Sequence, residues 1–325
     1  MNKDFVSLSE GSGGKEMNDL IKSFTFRGRG RWKNCYDDSA TLDIGDSKLL
    51  VFTTDSFVIN PIFFPGGDIG HVSVCGTIND LAVMGATPLG LSLGIVLEEG
   101  FSKRDLKKII NSINKISKDT GIPIVTGDTK VMEKGKVDKI VINVSGVGIA
   151  KKGGLLDKPL EIGDRIIISG GIGEHAIALL SKRFDYKTSI ITDSKPLVEE
   201  ISSVRHLIKA AKDPTRGGIA ATLNDISQKH NLGMLIDEES IPAKKEVRIV
   251  SEMLGINLYE LACEGRFICI SSKDNACLVE NTLKKFNSDA KIIGTVTDDN
   301  KVVIDTQLGR RILPEPRGLI VPRIC

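Results

Sequence analysis

Residues 48–85 decide the fold. They open with KLLVFTT (48–54), an apolar, β-branched run that reads as a buried strand ending at Asp55. They close with GHVSVCGTINDLAVMG (70–85), where Val72, Cys75, Ile78 and Ala82 fall on one helical face. The same alternation continues outward. Lys103–Asp119 places Leu106, Ile109, Ile110, Ile113 and Ile116 at helical spacing, with Ser102 as N-cap and Gly121 then Pro123 as the stop. Ile122–Thr126 predicts a short strand leading to Asp128, and Lys139–Ala150 a longer one. The Gly- and Lys-rich KKGGLLDKP (151–159) marks a boundary between residues 1–152 and 153–310. Beyond it the pattern predicts strands at Asp164–Ser169, Arg266–Ser271 and Lys291–Val296. It predicts helices at Gly173–Arg183, Pro196–Lys212, Gly217–Lys229 and Asn275–Phe286. The fold class is α/β, or α+β with mixed sheets.

Length and composition agree with this. A chain of 325 residues with 41% hydrophobic content suggests about two domains with buried cores. A net charge of +2 and the lack of a long basic block argue against nucleic acid and membrane surfaces as partners. The start, MNKDFVSLSEGSGG, has no basic stretch followed by an apolar one, and no run approaches a membrane span; a cytoplasmic protein is expected. The six cysteines (35, 75, 263, 269, 277, 325) form no Cys-x-x-Cys pair, and the four histidines lack zinc-ligand spacing.

Several short segments carry chemistry. Gly11-Ser12-Gly13-Gly14 can aim backbone N–H groups, those of Gly13 and Gly14 included, at a phosphate, or be a flexible lead-in; Ser9 and Glu16 exclude a Walker A loop. Asp37 and Asp38 form a pair, Asp55 and Asp128 follow strands, and Asp80 sits behind Asn79 on a helix. Ligands of α/β sheets bind beyond strand ends, and magnesium takes oxygen ligands shared with phosphates. Aspartates from separate elements thus suit a Mg–ATP site, although each alone also suits a cap or turn. Lys130, two residues past Asp128, faces that phosphate, carries a proton, or is a solvated loop lysine. Arg216 in DPTRGG (213–218) precedes a helix start that favours anions, or belongs to a turn and cap. Glu264 in CEGR (263–266) is a candidate general base. The stretch 311–325, RILPEPRGLIVPRIC, is broken by three prolines and reads as a mobile extended tail. Cys325 at its end is a carrier thiol on a swinging arm, or an incidental exposed thiol.

Taken together, GSGG (11–14), DDSA (37–40), TTDSF (53–57), PGGDIG (65–70), GTINDLAVMGATP (76–88), TGDTKV (126–131), DPTRGG (213–218), CEGR (263–266) and the terminal PRIC (322–325) resemble the HypE family of hydrogenase maturation proteins, in the PurM-like (aminoimidazole ribonucleotide synthetase) superfamily. Ser39, where that family has Gly, and Cys263 are mild departures that remove no carboxylate. The resemblance implies two PurM-like domains, a homodimer through the N-terminal ones, and ATP with Mg²⁺ held by Asp38, Asp55, Asp80 and Asp128 among the nucleotide-binding residues. It implies that a carbamoyltransferase, HypF, loads a carboxamide onto Cys325 and that the tail folds inward. ATP-dependent dehydration then leaves a thiocyanate, whose cyanide passes to iron on a HypC–HypD complex for a nickel–iron hydrogenase. Lys130 and Glu264 are expected as a buried pair handling protons. The rival readings are another PurM-like ATP enzyme, of the thiamine-monophosphate kinase or selenophosphate synthetase type, and a non-catalytic carrier presenting Cys325.

Overall fold

In the computed structural model, which describes residues 5–11, 13–24, 30–318 and 320–325, the chain builds two mixed sheets faced by helices. The first half runs α1 (Lys15–Ser23), β1 (Ala40–Gly45), β2 (Lys48–Phe57), a short ribbon of β3 (Phe63–Phe64) and β4 (Gly67–Asp68), α2 (Ile69–Val83), β5 (Thr87–Glu98), α3 (Lys103–Thr120), β6 (Ile124–Met132) and β7 (Ile140–Lys151). Its long strands lie in the order β1-β2-β7-β5-β6, antiparallel except for the β5–β6 pair.

The helix α2 fixes how the halves meet. The sequence places Val72, Cys75, Ile78 and Ala82 on one face of it, and nearly all its other residues are buried as well. One side lies on β2 and β7, another on α3, and the remainder meets α5 and β9 of the second half. A helix apolar all round belongs in such an interior. Asp68 caps it by accepting the His71 amide proton at 3.0 Å. Gly70 lets α3 approach, since a Cβ there would lie 2.7 Å from Ile109 Cγ2. In α3, Ile109, Ile113 and Ile116 are buried as their spacing predicts; Ser102 caps the start and Gly121, at φ +71°, ends it.

The second half runs β8 (Arg165–Ile168), α4 (Glu174–Phe184), α5 (Val198–Val204), β9 (Ile208–Lys212), α6 (Gly218–His230), β10 (Gly233–Asp237), α7 (Lys245–Leu254), β11 (Ile268–Ser271), α8 (Lys273–Leu283), β12 (Lys291–Thr297), β13 (Val302–Thr306) and β14 (Gly309–Ile312). The sheet order is β14-β13-β10-β12-β8-β11-β9, with only β10–β13 parallel. The mixed-sheet α/β class is therefore observed. The expected single helix Pro196–Lys212 is instead α5 followed by an edge strand. Ile208, Ala210 and Ala211 pair with β11, so their packing overrides a helix-compatible composition. Two aspartates expected just past strands lie inside them: Asp55 within β2 and Asp128 in the middle of β6.

The tail begins later than expected and is seated against the protein. Arg311 and Ile312 complete β14, and Leu313 is buried in the second core. Pro316 O then accepts the Lys15 amide proton at 3.0 Å, and Asn18 donates to Glu315 at 2.8 Å. Near the end, the Asn60 amide donates to Arg323 O at 3.1 Å and the Val58 amide to the main-chain oxygen of Cys325 at 3.4 Å. Val321 and Ile324 are buried in the core shared by α2, α3 and α4. Their burial contributes roughly 1.5–3 kcal/mol each toward holding the tail.

Candidate functional site

The strands and loops converge on a cleft of about 480 Å³ lined by Asp37, Asp38, Asp55, Asp80, Lys212, Asp213 and Arg216. Asp55 comes from β2, Asp80 from the C-terminal part of α2, Asp38 from the loop before β1, and Asp213 from the turn after β9. Thr53 fixes the set. Its hydroxyl lies 2.8 Å from both Asp80 Oδ2 and the Asp38 carbonyl, donating to one at a time. Ser39 donates to the Asp80 carbonyl at 3.1 Å. The Lys212 ammonium pairs with Asp38, while Asp37 is taken up by Lys229 at 2.9 Å and Asn34 at 2.8 Å.

The electrostatics show what the cleft lacks. Burial, reinforced by the charges of Asp55, Asp213 and Asp38, pushes Asp80 well above the usual carboxylate range. Burial and the neighbouring Asp38 push Asp213 up to about 8. Asp55 is also raised, by burial against the pull of Arg216. Burial disfavours the charge of Lys212, but Asp38 and Asp225 outweigh it and keep the ammonium protonated. Four clustered carboxylates against Lys212 and Arg216 call for added positive charge. The oxygen-only donor set fits a hard divalent cation such as Mg²⁺. Among the described residues no three candidate ligands close into a ready-made cage.

The tail thiol interacts with two residues of this cleft, Arg216 and Asp55. Cys325 faces Glu264 and Arg216, and burial pushes its pKa up against the pull of Arg216. Glu264 is buried, raised well above its usual range by burial and by the charges of Asp213, Asp193 and Asp55, and its Oε1 has no hydrogen-bond partner among the described residues. A buried carboxylate with a free oxygen beside the thiol is placed to accept a proton from a group carried on that sulfur. Gly13 and Gly14, at φ +86° and +74°, bring the backbone against Arg216 and Pro316. A Cβ on Gly14 would lie 2.3 Å from Pro316 O, and Gly14 lines the cleft; Ser12 of the same motif lies outside the described residues.

Three expected site residues are elsewhere. Asn79 is buried with its amide committed, donating to Lys195 O at 3.0 Å and Glu264 O at 3.2 Å and accepting from the Leu197 amide at 2.8 Å. It ties the halves together and presents nothing to a nucleotide. Asp128 and Lys130 lie on the exposed strand β6, 70% and 69% exposed, paired with each other at 3.0 Å. Within one chain Lys130 therefore does not form the expected buried pair with Glu264; strand β6 extends past the cover of the helices and keeps both side chains in solvent. Conversely, Lys212 and Asp213 line the cleft without a sequence signal that marks them. Asp213 heads the DPTRGG motif but reads as a turn residue, and Lys212 closes a stretch that reads as a helix.

Residues 36–150 match the AIR synthase related protein family, N-terminal domain, and residues 161–307 its C-terminal domain. The carbamoyl dehydratase HypE of Rhizobium leguminosarum bv. viciae is 39% identical, over 98% of this chain and 95% of its own length. A chain of a HypE–HypF complex crystal structure superposes with a TM-score of 0.85 at 39% identity, covering 93% of this chain and 100% of that one. The hydrogenase maturation protein HypE crystallised in complex with ATP superposes with a TM-score of 0.82 at 34% identity, covering 99% and 100%.

Proposed function

The chain belongs to the HypE carbamoyl dehydratases among the AIR synthase related proteins, and from that premise we propose that it dehydrates an S-carboxamide on Cys325 at the expense of ATP. The observation that carries this reading is the seating of the Cys325 thiol beside Glu264 and Arg216, the latter lining the cleft that also holds Asp38, Asp55, Asp80 and Asp213. HypF, the partner in the related complex, is the expected carbamoyltransferase that loads Cys325.

The chemistry follows from the groups present. An amide oxygen is a poor leaving group and phosphorylation makes it a good one. The carboxamide oxygen attacks the γ-phosphorus, a new P–O bond forms, and the bond to the β-phosphate oxygen breaks. One N–H proton leaves as the carbon–nitrogen double bond forms. The second passes to the departing phosphate as the C–O bond breaks, giving a thiocyanate and inorganic phosphate. Glu264 accepts a proton from nitrogen, and Arg216 neutralises charge growing on the phosphorylated oxygen. Asp38, Asp55, Asp80 and Asp213 would hold Mg²⁺, which when bound neutralises the phosphate charge. The cyanide carried on sulfur would then go to iron on a HypC–HypD complex.

Strand β6 supports a homodimer built on the N-terminal sheet. Its outer edge pairs with no strand among the described residues and its side chains are open, Val125 and Val131 at 65% and 67% exposure. A long open edge is normally covered. Pairing there would let Asp128 and Lys130 serve a cleft in the second copy.

Intact-mass measurement after incubation with HypF, its carbamoyl donor and ATP tests the central reading. The expected result is gain of a carboxamide on Cys325 and then loss of the mass of one water. A carboxamide that persists in the presence of ATP would overturn it.

A further inference from the structure

Asp193 has no place in the cleft, yet its side chain is fully buried between two parts of the site. It precedes α5, in the loop after α4. Its Oδ1 accepts the Glu264 amide proton at 3.3 Å and the His175 amide proton at 3.1 Å. Its Oδ2 accepts the Gly265 amide proton at 3.4 Å and lies 3.8 Å from Arg266 Nε. Gly265 has to be glycine for this approach, because a Cβ there would lie 1.8 Å from the Asp193 carbonyl oxygen.

Each end of this arrangement leads to a reacting group. On one side the two amides belong to the loop that carries Glu264. On the other, His175 stands in the first turn of α4, wholly buried. Its Nε2 lies 3.0 Å from the carbonyl oxygen of Ile324, the residue before Cys325. That oxygen can only accept, so Nε2 carries the proton. Nδ1 then accepts from the Thr192 hydroxyl at 2.8 Å. Burial lowers the pKa of His175, which keeps this single neutral tautomer. Arg266, beside Asp193, is held in place in turn, donating to Glu174 at 2.6 Å and to Gly171 O at 3.0 Å.

We propose that Asp193 is a positioning residue that sets the distance between Glu264 and the group carried on Cys325, holding the Glu264 loop by its amides and the tail through His175. The inference rests on the proposed dehydration with Glu264 as base. Asp193 touches neither substrate nor nucleotide. It acts because a proton transfer over a hydrogen bond tolerates little error in distance. A misplacement of about 1 Å costs on the order of a hundredfold in rate.

The test is single-turnover dehydration of the carbamoylated full chain by rapid quench, with ATP titrated. Asp193→Asn keeps the size and one acceptor oxygen; Asp193→Ala removes both. The expected result is a rate constant at saturating ATP lowered about tenfold in the first and about a hundredfold in the second, with the KM for ATP within twofold of wild type. Alkylation of unmodified Cys325 by iodoacetamide should quicken about tenfold in Asp193→Ala and in His175→Ala, as the tail loses its hold. Wild-type rate constants in both Asp193 variants would overturn the proposal, as would a KM for ATP that rises in step with the loss of rate. If Asp193→Ala does not fold, Asp193→Asn alone decides by the same two numbers. Glu264→Gln run in parallel separates the two readings. Full activity in Glu264→Gln overturns the base assignment, and this proposal with it. An inactive Glu264→Gln beside a fully active Asp193→Asn overturns the positioning role only.

Discussion

Asp80 and Asp128 stand in equally suggestive motifs, yet one is folded into a cleft and the other into an exposed edge. Asp80 is surrounded by Asp55, Asp213 and Asp38, and its carboxyl is pushed well above the usual range by burial and those charges. Asp128 is held below the usual range by the Lys130 ammonium two residues on, in open solvent. The first arrangement is under electrostatic stress that a cation relieves. The second is a surface pair of little energetic weight. The clustered carboxylates of the cleft all come from one chain, whereas β6 gains a task only from whatever covers it.

The largest effect should separate these regions outright. Asp80→Asn should lower dehydration turnover about a hundredfold or more, since it removes a preorganised charge from a buried phosphate site. Circular dichroism should stay unchanged. Turnover within threefold of wild type would place the working carboxylates elsewhere.

Mixing gives the next largest effect. If β6 serves the second copy, Lys130→Ala and Asp80→Asn should each be impaired alone, yet regain activity when co-expressed in equal amounts. Half of the dimers are then mixed, and each mixed dimer keeps one intact site, so about a quarter of the sites should work. No recovery above the separate variants would confine Lys130 to its own chain or to no role.

The stress in the cleft also predicts a pH dependence. Asp213 is raised to about 8 in the folded protein, against about 3.9 in the unfolded chain. Between those values the unfolded chain has released this proton and the folded chain has kept it. Stability of the protein in EDTA should therefore fall as pH rises through that window, by at most about 1.4 kcal/mol per pH unit from this group. Asp213→Asn should flatten the slope, read as Tm between pH 5 and 8. Parallel slopes for the two proteins would show that Asp213 is not strained.

Much of this was legible in the sequence where one local rule acted alone. The helix α3 has its cap at Ser102, its buried Ile109, Ile113 and Ile116 and its stop at Gly121, each where spacing places it. The residues Asp38, Asp55, Asp80 and Arg216 meet in the cleft as their motifs suggest. Reading failed where a distant partner decided. The strand β9 exists because β11 lies beside it, and a composition rich in Ala and Lys carried no trace of that. Lys212 was lost with the strand. Asn79 looked like a ligand beside Asp80, but on a helix the next residue points about 100° away, toward Lys195 and Leu197. Asp193 stands in no motif at all; only folding brings it to the Glu264 loop.

The smallest effect on the chain itself is the sharpest test of the edge. Val131 on β6 is 67% exposed, so Val131→Asp removes little burial within one chain. Its stability should change by no more than about 0.5 kcal/mol, a shift of a few degrees in Tm at most. A buried carboxylate on a strand pairing with a second copy is another matter. Without a partner for its charge it costs several kcal/mol, enough to split a dimer held by one sheet edge. Sedimentation velocity should therefore show a dimer for the wild type and a monomer for Val131→Asp. Turnover should drop to that of Lys130→Ala, while ATP binding to the intact cleft persists. Burial separates these outcomes, because Val131 is too exposed to act through the fold. A Val131→Asp protein that remains dimeric and active would show that β6 is not the interface. Asp128 and Lys130 would then be no more than the solvated pair they form in a single chain.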